Sequence, residues 1–262
     1  MNIISIFSFY SLDEKIRFLQ LTMKYPASTK ALLLAILTQF SVHAQQLETT
    51  TPVRAKTNGE AWWNGNYENI NKDIKALGPD IDLCFVGDSI TARWRGKENN
   101  WSKYWGEYKA ANLGIGGDGT QHVLWRLQNG QLDGYKAKIF VVLIGTNNLW
   151  GKDSKPADAA AGVKVILDEI QKKQPQAKIL LLSLLPVGEK PNPGRDSRAA
   201  VNEIIKKYAN ESIIYMDIAT QFLQPDNTIS KDDMHDFLHL SPKGYEMWAK
   251  AITPKIKEIL SK

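Results

Sequence analysis

The sequence holds one cysteine, Cys84, in 262 residues. A lone thiol cannot close an internal disulfide, so the fold must rest on its core, and within its apolar run this thiol reads as a small buried hydrophobe. No Lys/Arg-rich run is present, and the formal net charge of +5 is mild, so nucleic-acid binding has no support. The main apolar stretch near the N-terminus, residues 31–40, is about half the length a membrane-spanning helix needs. The residue directly after Ala44 is Gln45 rather than a Cys, so neither a lipidated N-terminus nor a stable membrane anchor is expected. No His/Cys/Asp/Glu cluster has metal-ligand spacing, which leaves no metal and no cofactor to expect. Neither an internal repeat nor a second domain boundary interrupts the chain.

What is present begins with a targeting pattern. Met23-Lys24 opens it, Lys24 and Lys30 supply its positive end, residues 31–40 are apolar, and Val42-His43-Ala44 forms a small-x-small cleavage site before Gln45. Residues 1–44 therefore read as a signal peptide with an extended start, and a secreted or periplasmic location is the expectation. Residues 45–60 are polar and Thr-rich and read as a flexible lead. Residues 61–262 form one domain. The whole chain, 43% hydrophobic and 23% charged, is ordinary for a soluble globular protein and long enough for one well-buried core.

Residues 60–77 carry Trp62, Trp63, Tyr67, Ile70, Ile74 and Leu77, helically spaced from Tyr67 onward, and Gly78-Pro79 ends the pattern. Apolar runs predict strands over 83–86, 110–113, 139–144, 178–185 and 213–216. Between them lie helical patterns: one capped by Thr120, one capped by Ser154 with Pro156 at its start, one over 195–208, and a last one opened by Ser241-Pro242 that Pro254 should kink. Strands alternating with helices predict an α/β fold with a parallel central sheet covered on both faces.

In such sheets ligands bind beyond the carboxyl ends of the strands. Three of those ends carry unusual residues: Asp88-Ser89, Gly116-Gly117 and Asn147-Asn148. A fourth feature, Asp236-Phe237-Leu238-His239, precedes the last helix. Singly, each is common cap or turn chemistry. Together they supply the parts of an acyl-transfer site. Ser89 is the candidate nucleophile, His239 the base that takes its proton, and Asp236 the carboxylate that orients the imidazole. Ser89 N–H, Gly117 N–H and the Asn147 amide are candidate oxyanion donors. Asp232 and His235 repeat the same Asp-x-x-His spacing. His239 is preferred because Leu240-Ser241-Pro242 anchors it to the last helix. Asp88, Trp94, Trp150 and His235 are candidates for substrate binding, and Trp101 and Trp105 also lie near strand ends. Gly114-x-Gly116-x-x-Gly119 matches a dinucleotide fingerprint only weakly: its strand is short and not the first of the sheet, and Asp133 comes too soon.

The blocks Gly87-Asp88-Ser89-Ile90, Gly114-Ile115-Gly116-Gly117, Gly145-Thr146-Asn147-Asn148 and Asp236-Phe237-Leu238-His239 resemble those of the SGNH (GDSL-type) hydrolases. Within that family, His122-Val123-Leu124-Trp125-Arg126-Leu127 and the run from Leu184 to Pro193 are similar to the catalytic subunits of platelet-activating-factor acetylhydrolase. The resemblance covers nearly all of the expected mature chain. It implies a flavodoxin-like three-layer sandwich, a metal-free Ser-His-Asp hydrolase, and Ser89, Gly117 and Asn147 as oxyanion donors. The expected activity is hydrolysis of short-chain, chiefly acetyl, esters of a carbohydrate or lipid. Alternatives are a short-chain phospholipid acetylhydrolase or lysophospholipase, and a non-catalytic glycan-binding module on the same scaffold. The expected partners are a small-molecule or glycan ester and, in a homodimer, a second copy of the chain.

Overall fold

The computed structural model describes residues 51, 52 and 54–261; the expected signal peptide lies outside them. The strands are β1 (Asp80–Gly87), β2 (Ala110–Asn112), β3 (Lys136–Leu143), β4 (Lys178–Leu182) and β5 (Ile213–Met216). All pair in parallel, in the order β2-β1-β3-β4-β5. The chain leaves β1 for β2 on one side and continues to β3 on the other. The crevice at the carboxyl end of β1 is thus the point where strand order reverses, which is where open α/β sheets take their ligands.

The helices are α1 (Ala61–Leu77), α2 (Ser89–Ala92), α3 (Trp101–Trp105), α4 (Thr120–Arg126), α5 (Pro156–Lys173), α6 (Pro193–Ile205) and α7 (Pro242–Leu260). Successive strand side chains point to opposite faces. Cys84, Val86, Phe140, Val142, Ile179 and Leu181 meet Ile70, Val123, Val163 and Val201 from α1, α4, α5 and α6. Leu83, Phe85, Val141 and Leu180 meet Trp105 of α3 and Trp248, Ile252 and Ile256 of α7. A sheet buried on both sides explains why its strands read as continuous apolar runs rather than alternating ones. Each such large side chain, fully buried, contributes about 1.5–3 kcal/mol.

Local differences from the sequence expectations have local causes. β4 stops at Leu182 because the side-chain amide of Asn202 takes the place of a strand neighbour: Leu184 N–H donates to Asn202 Oδ1 at 2.7 Å and Asn202 Nδ2 donates to Leu184 O at 3.0 Å. Thr120 is the first residue of α4, not its cap, and Gly119 holds the cap position. The Thr120 hydroxyl instead donates to Pro52 O at 2.9 Å, and Lys56 N–H donates to Gln121 O at 3.1 Å. That part of the expected flexible lead is therefore pinned to α4. Lys155 rather than Ser154 precedes α5 at its cap. α7 continues through Pro254 as one helix. Its Tyr245 is buried and donates its phenol O–H to Ile90 O of α2 at 2.7 Å.

Candidate active site

Ser89 is the first residue of α2, directly beyond β1. Asp88 caps the helix, its Oδ1 accepting Ile90 N–H at 2.9 Å. The chain leaving β2 presses on this turn: a Cβ on Gly114 would stand 2.4 Å from Ala92 N and 2.9 Å from Asp88 O. Only glycine permits that approach. A Cβ on Gly116 would be 3.9 Å from Ser89 Cβ, so the Gly116-Gly117 turn flanks the serine. Gly117 has φ +75°, in the left-handed region that glycine enters without strain.

The other half of the site comes from the approach to α7. Met234 and Leu240 form an isolated antiparallel bridge, Ser241 N–H donates to Asp233 O at 3.0 Å, and Ser241 Oγ caps α7 by accepting Gly244 N–H at 3.1 Å. Residues 235–239 are thereby held as a loop with fixed ends. Within it Phe237 adopts φ +60°, an uncommon conformation for a bulky residue and one that concentrates at functional sites. Gly188 N–H ties Phe237 O at 2.9 Å to the loop that follows β4.

These two halves bring Ser89 Oγ to 3.0 Å from His239 Nε2, and His239 Nδ1 to 2.7 Å from Asp236 Oδ2. Asp236 Oδ1 accepts the backbone N–H of His239 at 2.7 Å and of Leu238 at 3.1 Å. Partial burial pushes the Asp236 carboxyl up, but these N–H groups and the imidazole outweigh it and hold the carboxyl at about 2. It is a carboxylate throughout the neutral range, fit to orient an imidazole and to stabilise its charged form. The His239 side chain is 12% exposed, shielded yet reachable.

Asn147 lies on the turn after β3. Its Nδ2 donates to Asp118 O at 2.8 Å and its Oδ1 accepts from Trp150 Nε1 at 3.3 Å. One neighbour needs a donor and the other an acceptor, so the pair fixes which end of the amide is nitrogen. An amide carries two N–H groups, and the second remains for a ligand. Among the described residues, the N–H groups of Ser89 and Gly117 meet no acceptor. The segment from Gly116 to Asp118 links the expected oxyanion donors, with Gly116 beside Ser89 at one end and Asp118 O bound to the Asn147 amide at the other.

Two of the expected substrate contacts are corrected by burial. Trp94 is wholly buried and packs in an aromatic cluster with Phe85, Trp105 and Trp248. Trp105 shares that burial, and Trp101 packs against the cluster. Asp88 is also fully buried. Burial pushes its carboxyl up to about 7, with neighbouring Asp118 adding to the rise and the Ile90 N–H and Arg198 guanidinium opposing it. It shapes the serine turn from beneath and has no surface to offer a substrate. His235 and Trp150 do stand at the surface, with the His235 side chain 53% exposed and Trp150 56% exposed.

The sequence reading missed the buried ionic frame under the site. Asp118 accepts from Trp63 Nε1 at 2.6 Å and pairs with Arg126 Nη2 at 2.8 Å, both side chains without solvent exposure. Arg198 donates to Gly194 O at 2.8 Å and to Thr146 Oγ1 at 3.2 Å. A signal was there: Arg198, Val201 and Ile205 share one helix face, as do Val123, Arg126 and Leu127. An arginine on a buried stripe requires a partner.

A sheet with this topology, and a serine at its switch point within reach of a carboxylate-bound histidine, defines an ester hydrolase. The chain belongs to the GDSL-like lipase/acylhydrolase family, which it matches over residues 85–247. It is 41% identical over 206 residues to platelet-activating factor acetylhydrolase IB subunit alpha2 of Rattus norvegicus, a match covering 77% of this chain and 86% of that protein. Among solved structures it is similar to a putative platelet activating factor from Streptococcus pneumonia, with 23% identity, a TM-score of 0.62, and coverage of 82% of this chain and 99% of the other. It is also similar to a carbohydrate acetylesterase from Sinorhizobium meliloti, with 14% identity, a TM-score of 0.54 and coverage of 69% and 99%. At those identities the structures speak for the fold alone, which is the expected SGNH hydrolase sandwich.

Proposed function

We propose that this protein is an exported serine esterase that removes acetyl or similarly short acyl groups from a carbohydrate or lipid. The observation that carries this reading is the unbroken relay from Ser89 Oγ to His239 at 3.0 Å and on to Asp236 at 2.7 Å. Ser89 Oγ attacks the ester carbonyl carbon while its proton passes to His239 Nε2. The carbonyl oxygen takes up the displaced electron pair and is met by Ser89 N–H, Gly117 N–H and the free N–H of Asn147. Collapse of this intermediate breaks the bond to the alcohol, which leaves with the proton from His239. Water, deprotonated by the same imidazole, then releases the acid from Ser89. Throughout, Asp236 keeps the imidazole in the tautomer that accepts at Nε2.

The short acyl group is supported by the acetylhydrolase named at 41% identity and by the lack of any insertion longer than a loop between the motif blocks. That same relative favours a second reading, a short-chain phospholipid acetylhydrolase. A non-catalytic binding module would have no use for an aligned serine, imidazole and carboxylate. The targeting pattern of residues 23–44 supports export, and the N-terminal sequence of protein recovered outside the cytoplasm tests it. The expected homodimer is checked by sedimentation, a monomer overturning it.

The deciding experiment is a panel of p-nitrophenyl esters of rising chain length beside acetylated xylan and a short-chain phospholipid, with Ser89→Ala as control. The expected result is fastest turnover of the acetyl ester and a loss on the order of a million-fold in the variant. Retention of more than about a tenth of wild-type activity, far above the residual of a triad knockout, would sink the serine mechanism. Preference for the phospholipid over xylan would select the second reading.

A further inference from the structure

Trp150 is one of two large hydrophobic residues strongly exposed among the described residues. An exposed indole ordinarily gains nothing from one fixed orientation. This one is fixed twice. Its Nε1–H donates to Asn147 Oδ1 at 3.3 Å, and one face of its ring lies on the Arg198 guanidinium, 4.6 Å from the ring centroid. Arg198 is itself immobile, being buried and hydrogen-bonded to Gly194 O, Thr146 Oγ1 and Thr146 O. Burial lowers it to about 10, so it remains a cation at neutral pH, and a cation over an indole face is attractive. With one face so occupied, the residue remains 56% exposed.

The hydrogen bond has a consequence for the amide. Asn147 can present its free N–H to an oxyanion only while its oxygen points away from it. Asp118 O draws the nitrogen by one hydrogen bond, and Trp150 holds the oxygen by the other. Trp150 therefore sets the orientation of an oxyanion donor without touching the reacting atoms. It also stands three residues along the chain from that donor and bonds to it directly, so its exposed ring adjoins the group that would meet the carbonyl oxygen of a bound ester. A flat apolar surface there suits a pyranose ring, whose C–H face stacks on indole while its hydroxyls stay in water.

We propose that Trp150 has two separable roles: it positions the Asn147 amide, and its ring is a stacking platform for the sugar of a carbohydrate acetyl ester. This rests on the esterase reading above and specifies its substrate class. The hydrogen bond and the ring can be removed one at a time. Trp150→Phe keeps an aromatic face and loses the N–H; Trp150→Ala loses both. Ethyl acetate, which has no ring, reads positioning alone. Peracetylated methyl xyloside reads positioning and stacking together.

The test is steady-state kinetics of wild type and both variants on the two esters by pH-stat, with melting temperatures to confirm folding. On ethyl acetate both variants are expected to lose about tenfold in kcat, the worth of one hydrogen bond, with KM unchanged. On the xyloside, Trp150→Ala should in addition raise KM about tenfold, and Trp150→Phe less than about threefold. Wild-type kcat for Trp150→Phe on ethyl acetate overturns the positioning role. An unchanged xyloside KM in Trp150→Ala overturns the platform. Wild type active on ethyl acetate but not on the xyloside overturns the platform and the carbohydrate reading while leaving the esterase intact. Wild type inactive on both overturns the esterase reading and this proposal with it.

Discussion

His235 and His239 hold nearly parallel rings, 6.2 Å apart with 22° between their planes, beside a single carboxylate. Asp236 Oδ2 lies 2.7 Å from His239 Nδ1 and 3.6 Å from His235 Nε2. Only His239 also reaches Ser89. The two Asp-x-x-His copies, equivalent by spacing, are thus unequal in geometry. His239→Ala should lower kcat at least about a thousand-fold, whereas His235→Ala should cost less than about tenfold. Both are measured on p-nitrophenyl acetate, and a dead His235 variant would shift the base four residues upstream.

Asn147→Ala tests the oxyanion assignment. Removing one preorganised donor should lower kcat about a hundred- to a thousand-fold and leave KM nearly unchanged. A change confined to KM would make Asn147 a binding residue instead.

Asp88 gives a pH prediction with a definite sign. Its folded pKa of about 7 lies above the ordinary 3.8. The folded state therefore binds the proton more tightly, and stability falls as pH rises from about 4 to about 7, then levels off. Asp88→Asn keeps an oxygen to accept the Ile90 N–H and removes the titration. Melting temperatures taken at about pH 4 and about pH 8 should move in the variant's favour by about ten degrees between the two. Arg198 is present in both proteins, so its own cost cancels in that comparison. A pH-independent difference would refute the raised carboxyl.

Gly114 and Gly117 separate crowding from conformation. A Cβ on Gly114 meets backbone atoms at 2.4 and 2.9 Å, while one on Gly117 meets nothing within 4 Å but sits at φ +75°. Gly114→Ala should destabilise by about 1–3 kcal/mol, as overpacking against rigid backbone does. Gly117→Ala should cost about 1 kcal/mol of left-handed strain. Urea midpoints measure both, and a milder effect at Gly114 than at Gly117 would contradict the packing described.

The parts legible in the sequence were those set by short-range rules. Two-sided burial gives β1 and β3 their apolar runs, Gly78-Pro79 punctuates α1, and Ser241-Pro242 starts α7 where capping chemistry says it should. The meeting of Ser89, Asp236 and His239 was legible because strand ends and the block pattern singled them out together. Trp94 was misjudged because its surroundings come from far along the chain: Tyr245 and Trp248, more than 150 positions away, complete the cluster that buries it. Asp88 was misjudged for a related reason, since a carboxylate beside a nucleophile gives no local sign that helix and sheet will seal it from water. The end of β4 depended on Asn202 imitating a strand, which no periodicity reveals.

Tyr245 and Ile90, joined at 2.7 Å, lie 155 positions apart in the chain, and Ser89 and His239 lie 150 apart. The serine and its base therefore have no proximity until the final helix docks. During synthesis the amino-terminal strands can pair and bury Phe85 or Val86 while the protein is still chemically inert. By this geometry hydrolysis awaits the closing of α7, with the loop that precedes it, against α2, an element made some 150 residues earlier. Such long-range contacts form late and slowly, so the appearance of activity reports completed folding rather than collapse.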